Sequence, residues 1–543
     1  MRDEHLFGSA RRLRYAQLVR DFRWDIPERF NFGVDVVEAW AAERDGLALV
    51  WENASGETAS FRFSDVARLS NRMADALRRA GVKKGDRVIV MLPRIPEWQI
   101  ALVACVKIGA VVIPAIEMLT GRDIAYRVVN SGAVAAICRA AETPKFAAVA
   151  GQLTVRIALG DAPGWTRWNA ALASGAETLV AADVAIEDPA LMYYTSGSTG
   201  HPKGVLHAAR ALYVWRMAAI YWLDLTPQDR IWCTADTGWS KAGTSIIWGP
   251  WSTGSCAFFY DGPFVPAERL RLLAKHKVTV FCAASTELNR LCNEDVGAHD
   301  LGALRRTVSA GEAVNPSVAA RWERATGCQV SEAYGQTEAL MMVLNYPSDP
   351  LQYGAMGWPQ PGLDIDIVDD AGVRQPADVE GHVALKMPSA HMMLGYWNDP
   401  ERTAACFIEG PDGQWYLSGD RARKDADGRF WYAGRADDVI NSAGYRIGPL
   451  EVENVLLEHA SVLECAVVAS PDAERGEIVK AFVVLQPGIE GTPALAAELQ
   501  THVKAQTAPY KYPRAVAFVA ELPKTVTGKI RRRSLKDQEF GRS

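Results

Sequence analysis

The sequence predicts an α/β protein with a large N-terminal domain of αβ-layered subdomains, a β-rich subdomain within it, and a small α/β C-terminal domain. Three observations predict this. The chain has 543 residues, more than the roughly 250–300 at which single cores stop growing. From about residue 60, helical periodicity alternates with short apolar runs, the rhythm of α/β folds. Between about 355 and 435 the texture changes to short strands and tight turns, then reverts after Gly434.

The alternation begins with a helix over 66–80, a strand over 87–92 and a helix over 98–108. Further β-rich runs at 133–137, 190–194 and 278–283 end in polar or glycine punctuation and read as buried strands of parallel sheets. Asp369-Asp370-Ala371-Gly372, Asp412-Gly413 and Asp427-Gly428 are hairpin signals of the β-rich stretch. Beyond it come a helix at 450–458, strands at 465–470 and 480–485, and a helix at 493–504. A boundary near Asp437 gives domains 1–436 and 437–543.

Composition excludes several classes. With 49% hydrophobic and 23% charged residues the chain has the profile of an ordinary globular protein. Its 59 Lys and Arg against 64 Asp and Glu give a net charge of −5, which argues against a nucleic-acid partner because such binding replaces counterions with basic side chains. The nine cysteines form no CxxC pair and point to buried thiols in a reducing compartment. HExxH and HxH spacings are absent, so any metal is expected to arrive with a nucleotide. The N-terminal arginines are mixed with acids and precede no apolar h-region. No run reaches about 18 apolar residues, so no membrane span is expected. The expected location is cytoplasmic, with the mitochondrial matrix as the alternative.

The strongest motif is Tyr193-Tyr194-Thr195-Ser196-Gly197-Ser198-Thr199-Gly200-His201-Pro202-Lys203-Gly204. Glycines let backbone N–H groups approach an anion, hydroxyls add donors and Lys203 adds a point charge. That is phosphate-holding chemistry, without the order of a Walker A loop.

This segment resembles the phosphate loop of the adenylate-forming superfamily of acyl-CoA synthetases, adenylation domains and firefly-type luciferases. The resemblance runs nearly end to end and is nearest to the medium-chain acyl-CoA synthetases. Phe30-Asn31-Phe32, Gly85-Asp86-Arg87-Val88, Leu92-Pro93-Arg94-Ile95-Pro96-Glu97-Trp98, Asp236-Thr237-Gly238-Trp239 and Thr507-Ala508-Pro509-Tyr510-Lys511-Tyr512-Pro513 carry it. It implies an acid–CoA ligase with ATP, Mg²⁺ and coenzyme A as co-substrates and cofactor, and a small-molecule carboxylic acid as substrate. A medium-chain, branched or aromatic acid would be activated as an acyl-adenylate, with release of AMP and pyrophosphate.

The resemblance also implies residue roles. ATP would meet Thr195, Ser196, Gly197, Ser198, Thr199, Gly200 and Lys203; Gly311 and Glu312 in Ser309-Ala310-Gly311-Glu312-Ala313; and Glu332, Ala333, Tyr334, Gly335, Gln336 and Thr337. Glu338 would hold Mg²⁺, a hard cation that keeps phosphate and water ligands. Thr337 would donate to the α-phosphate or the acid carboxylate. Asp420 would accept both ribose hydroxyls, as a carboxylate can, and Arg435 would add a donor.

Forcing a carboxylate onto the α-phosphorus brings two anions together, so the enzyme must supply positive charge more than proton transfer. The resemblance gives Lys529, in Thr527-Gly528-Lys529-Ile530, that catalytic task. It makes Asp437 the hinge of a mobile C-terminal domain whose rotation excludes water during adenylation and then admits the thiol. Coenzyme A would meet Ala443, Gly444, Tyr445, Arg446, Arg475, Lys504, Tyr512 and Arg514. Relatives often carry serine where Ala443 stands.

For the acid, Trp239 would line or gate an acyl tunnel. Gly335 stands where acetate-specific relatives carry tryptophan, which implies a pocket with room for several methylenes, each contributing about 0.8 kcal/mol on burial. Three rival readings stay open: an enzyme that loads a carrier-protein thiol, a luciferase-like oxygenase, and a non-catalytic nucleotide sensor. An oligomer is compatible with the sequence.

Overall fold

The computed structural model describes residues 13–195, 202–435, 438, 440–442, 445–472, 475–507, 510–524 and 530–541. The architecture is mixed α/β, built on three sheets. One sheet has eight strands in the order Gly395–Tyr396, Lys203–Ala208, Pro189–Thr195, Val111–Ala115, Arg87–Met91, Ala135–Arg139, Val155–Leu159, Thr166–Arg167. Its middle is parallel, with Val90 opposite both Pro114 and Ile137. Pro189–Thr195 pairs in parallel with Val111–Ala115 but antiparallel with Lys203–Ala208. The described ends of the phosphate-loop segment, Tyr193–Thr195 and Lys203–Gly204, are thus antiparallel partners.

The fourteen-stranded sheet has a parallel centre of Leu47–Asn53, Cys256–Asp261, Arg230–Cys233, Val280–Cys282, Arg306–Ala310 and Val330–Gln336. It turns antiparallel at Leu340–Leu344 and continues through Ala355–Pro359 and Phe430–Arg435 to Gly413–Lys424, Glu380–Lys386 and Ile365–Val368. The turn-rich stretch therefore extends a shared sheet instead of closing one of its own. Gly413 and the Asp427-Gly428 turn join strands as hairpins, whereas Asp369–Gly372 is a tight turn that leads out of Ile365–Val368.

Helices follow readable local rules. Proline stands at the first turn of Pro96–Lys107, Pro316–Thr326, Pro449–Leu457 and Pro493–Gln506, where its missing N–H has no intrahelical partner to lose. Thr120 and Asp123 cap Gly121–Ser131 reciprocally. Pro96–Lys107 is buried nearly all round, as a helix covered on every side must be. Its Lys107 is fully buried, and the ammonium is saturated by Glu38 Oε1 at 2.6 Å, Asn71 Oδ1 at 2.6 Å and Ala67 O at 3.3 Å.

Beyond Ile440 the chain forms its own five-stranded sheet of Ile440–Ser442, Tyr445–Ile447, Val462–Asp472, Gly476–Leu485 and Ala515–Phe518. One face carries a core with Val452, Leu456, Leu499 and Val503, the other a smaller core with Phe482, Leu522 and Leu535. Asn315 Nδ2 donates to Asn454 O at 3.5 Å, which joins this unit to the rest.

Candidate active site

In open α/β sheets, ligands bind beyond the carboxyl ends of the parallel strands. Here the ends of Arg230–Cys233, Arg306–Ala310 and Val330–Gln336 lead into Asp236-Thr237-Gly238-Trp239, Gly311 and Thr337-Glu338, three of the segments singled out in the sequence. Gly311 takes a left-handed φ of 94°, a conformation that favours glycine. Gly238 packs so closely that a Cβ would meet Ile116 N at 2.9 Å.

Lys203 and Glu338 meet at the start of the Lys203–Ala208 strand. Lys203 Nζ lies 2.9 Å from Glu338 Oε1 and 2.6 Å from the Tyr396 hydroxyl, which itself donates to Glu338 Oε1 at 2.8 Å. Burial would raise the Glu338 carboxyl, but the Lys203 charge and the hydrogen bonds of Lys203 and Tyr396 outweigh it and hold the group below its ordinary value. Tyr396 arrives on a two-residue strand that pairs with Lys203–Ala208, and Met393 N donates to Glu338 O at 2.8 Å. At the strand's end, buried Thr195 Oγ1 has no hydrogen-bond partner among the described residues, a polar group that an arriving phosphate would satisfy.

Thr337 is held from two sides. Its hydroxyl lies 3.1 Å from Ser240 Oγ, and its carbonyl lies 2.6 Å from His207 Nε2. Burial lowers the His207 imidazole to about 4, so at neutral pH it is uncharged, and bonding a carbonyl places its proton on Nε2.

Asp420 is the centre of a polar cage. Tyr334 OH at 2.6 Å and Gln336 Nε2 at 2.5 Å donate to Oδ2, while Tyr432 OH at 3.1 Å and Arg435 Nη1 at 3.5 Å reach Oδ1. Burial raises the carboxyl above its ordinary value despite Arg435 and these donors. Asp420 and Arg435 are register partners on neighbouring strands.

Other predicted residues have different company. The Glu332 carboxylate accepts from Val314 N at 2.8 Å and Gly354 N at 3.2 Å, and burial lifts it to about 7. Its neighbour Ala333 is buried on the same strand. Glu312 accepts from Thr286 N at 3.1 Å. A Cβ on Gly335 would stand 2.2 Å from Leu340 O and 2.8 Å from Met341 Cα. The glycine therefore serves the close approach of two strands, and the room expected from the absent side chain does not open along its Cβ direction. Trp239 is half-buried at the start of the Ser240–Ala242 helix.

In the C-terminal unit, Lys504 and Arg514 flank Tyr512, with Nζ and Cζ 5.5 Å and 4.9 Å from the ring centre and Arg514 Nη1 3.1 Å from its hydroxyl. Arg475 precedes Gly476, which pairs with Ser442 beside the Ser442–Tyr445 hairpin. Arg446 is opposite Asn441 in that hairpin. Two basic neighbours of Lys529 are committed elsewhere: Lys524 to Glu464 at 2.7 Å and Arg532 to Glu453 at 2.5 Å. Ser196, Gly197, Ser198, Thr199, Gly200, Asp437, Ala443, Gly444 and Lys529 lie outside the described residues.

Tyr396, His207, Ser240 and Tyr432 were not singled out from the sequence. Tyr432 and Tyr396 each fall in an aromatic pair, Trp431-Tyr432 and Tyr396-Trp397, which reads equally as core.

The fold and site define a nucleotide-binding enzyme class, and the comparisons with known proteins agree. Residues 37–397 match the family model of the AMP-binding enzyme, and residues 451–529 match that of the AMP-binding enzyme C-terminal domain. The chain belongs to the AMP-binding enzyme family. It is 40% identical to human mitochondrial acyl-coenzyme A synthetase ACSM5 over 536 residues, covering 95% of this chain and 92% of that one. Mouse mitochondrial acyl-coenzyme A synthetase ACSM3 is 38% identical over 97% of this chain and 93% of its own. The crystal structure of the anthranilate CoA ligase AuaEII in complex with anthranoyl-AMP superposes with a TM-score of 0.87 at 30% identity, covering 95% of this chain and 98% of that one. Among the described residues no helix is long and apolar enough to cross a membrane.

Proposed function

We propose that the protein is an AMP-forming acid–CoA ligase. It joins a medium-chain, branched or aromatic carboxylic acid to ATP as an acyl-adenylate, releases pyrophosphate, and passes the acyl group to the thiol of coenzyme A with release of AMP. The observation that carries this reading is the pairing of Lys203 with Glu338 next in the chain to Thr337, since adenylation needs a phosphate cation, a metal-holding carboxylate and a donor at the reacting oxygens together.

Glu338 is the residue that would hold Mg²⁺. Its carboxylate is kept ionised and already faces a cation, as a hard-metal ligand requires. A bound Mg²⁺ would neutralise phosphate charge. Lys203, freed from Glu338, would turn to the phosphates beside the loop 196–200, with Thr195 as a further donor. Tyr334 and Gln336 would yield Asp420 to the ribose, with Arg435 beside it. Gly311 and Glu312 flank the adenine, and Glu332 acts as a strut through its two backbone amides. Thr337, fixed by His207 and Ser240, would donate to the α-phosphate or the acid.

Lys529 would bridge the acid and the α-phosphate. The pairing of Lys524 and Arg532 with carboxylates supports giving it that role. Domains 1–436 and 437–543 would rotate about Asp437 between the half-reactions. Arg446, Arg475, Lys504, Tyr512 and Arg514, with Ala443, Gly444 and Tyr445, would receive coenzyme A, whose phosphates suit basic side chains. Those basic groups favour free coenzyme A over a carrier protein.

Pyrophosphate release with a panel of acids, with and without coenzyme A, tests the reading. A thioester and AMP are expected. Release without coenzyme A thioester would indicate carrier loading, and no release with any acid would indicate a sensor.

A further inference from the structure

Two lysines of the large unit, Lys107 and Lys241, are satisfied very differently. Lys107 has three acceptors around its ammonium and no accessible surface. Lys241 has one hydrogen-bond acceptor, Ala310 O at 2.9 Å, and no carboxylate of the described residues within ion-pair distance. Its nearest carboxylates are engaged elsewhere: Glu287 takes Thr234 Oγ1 at 2.5 Å and Arg269 at 3.3 Å, and Glu312 takes Thr286. An ammonium carries three donors, and a poorly paired charge away from bulk water is expensive to keep.

Lys241 nevertheless stays a cation. Burial works against its charge, but the nearby Cys282 and Cys233 sulfurs and the Glu312 and Glu287 carboxylates outweigh it and raise the group above the ordinary lysine value. The residue is only partly buried. Its neighbours place it by the adenylation point: Ser240, the preceding residue, touches the Thr337 hydroxyl at 3.1 Å, and Ala310 ends the strand that leads into Gly311. Trp239, on the other side, is the predicted acyl-tunnel residue. Lys241 thus follows directly on the predicted acyl-tunnel tryptophan and on the serine that touches Thr337.

We propose that Lys241 is a specificity-determining residue that receives a second oxygen acceptor on the acid substrate, a carboxylate, carbonyl or hydroxyl carried on the acyl portion. The proposal rests on the acid–CoA ligase reading and narrows its substrate class from plain to oxygenated acids. Two open donor positions on a cation held in place by Ala310 suit such a group, whereas a wholly apolar acyl chain would strip water from the ammonium and return nothing.

The test compares acids of matched skeleton: hexanoate, 5-oxohexanoate and adipate in one series, and benzoate, 3-hydroxybenzoate and isophthalate in another. The readout is the ratio of kcat/KM for each oxygenated acid to that of its plain partner. The wild type is expected to favour at least one oxygenated acid by about tenfold or more, as a hydrogen bond to a charged group allows. Lys241→Met should bring that ratio to about one or below, and Lys241→Arg should retain the preference. The keto, hydroxyl and carboxylate arms show whether the group is neutral or anionic. Equal ratios in the wild type and Lys241→Met, or a wild type that favours the plain acid in both series, would overturn the proposal; the second outcome needs no variant to fold. Absence of thioester from every acid would instead count against the ligase reading itself.

Discussion

Lys203 Nζ and Glu338 Oε1 stand 2.9 Å apart, with the Tyr396 hydroxyl bonded to both. One residue is the lysine of the phosphate-loop segment and the other ends the Tyr334–Glu338 segment, so two motifs more than a hundred positions apart complete each other's charge. Under the proposed assignment each ion would stand where the other's partner belongs, Lys203 in place of a metal beside Glu338 and Glu338 in place of a phosphate beside Lys203.

Glu338→Gln removes the ion that does both jobs while keeping its size. Acid-dependent pyrophosphate exchange should fall by about 100-fold and its magnesium requirement should rise. Tyr396→Phe, which removes the hydroxyl's hydrogen bonds to both residues and leaves the ion pair, should cost about tenfold or less. Exchange measured across a magnesium titration checks both; an unchanged magnesium dependence in Glu338→Gln would remove the residue from the metal site.

Glu332 makes stability depend on pH. Its free side chain ionises at 4.5, and burial in the fold lifts this to about 7. Between these values the native state binds more protons than the unfolded state, so stability falls as pH rises from about 4.5 through 7. The benefit is fully present only below that window. Glu332→Gln, which cannot ionise, should flatten the slope by up to about 1.4 kcal/mol per pH unit. Thermal midpoints of both proteins at pH 5, 6 and 7 measure it, and parallel curves would contradict the assignment.

The strands and helices of regular periodicity were legible in the sequence because their patterns report burial directly. Residues 66–80, 87–92 and 98–108 match the helix Phe63–Arg79, the strand Arg87–Met91 and the helix Pro96–Lys107 within a few positions. Pairing was less legible. The run at 190–194 is apolar on both faces, as a parallel strand would be, yet one of its two neighbours is antiparallel. Tyr396 was invisible because a two-residue strand has no periodicity. Gly335 misled for a different reason: a missing side chain signals either space or close approach, and composition cannot tell them apart. The structure shows close approach.

Gly335→Ala tests that distinction. The added Cβ would meet the Leu340 carbonyl at 2.2 Å, and Leu340 already holds a left-handed φ of 54°, so the backbone there has little freedom to yield. A destabilisation of about 1–3 kcal/mol is expected, with lower turnover because the same turn carries Thr337 and Glu338. An unchanged melting temperature with a shift toward shorter acids would mean that the glycine borders open acyl space after all.

Lys529→Ala separates the half-reactions. If the ammonium bridges the acid and the α-phosphate, its loss removes charge stabilisation only from the step in which two anions converge. Adenylation, read as acid-dependent pyrophosphate exchange, should fall by about 100-fold or more, while a preformed acyl-adenylate should still yield thioester with coenzyme A near the normal rate. The alternative, that 524–533 is simply a basic surface, predicts no such asymmetry. Two of its cations, Lys524 and Arg532, are tied to Glu464 and Glu453, so their replacement should disturb the packing of the C-terminal unit and lower both half-reactions together. A Lys529→Ala protein that lost both steps equally would belong with them, and the catalytic role would pass from that lysine.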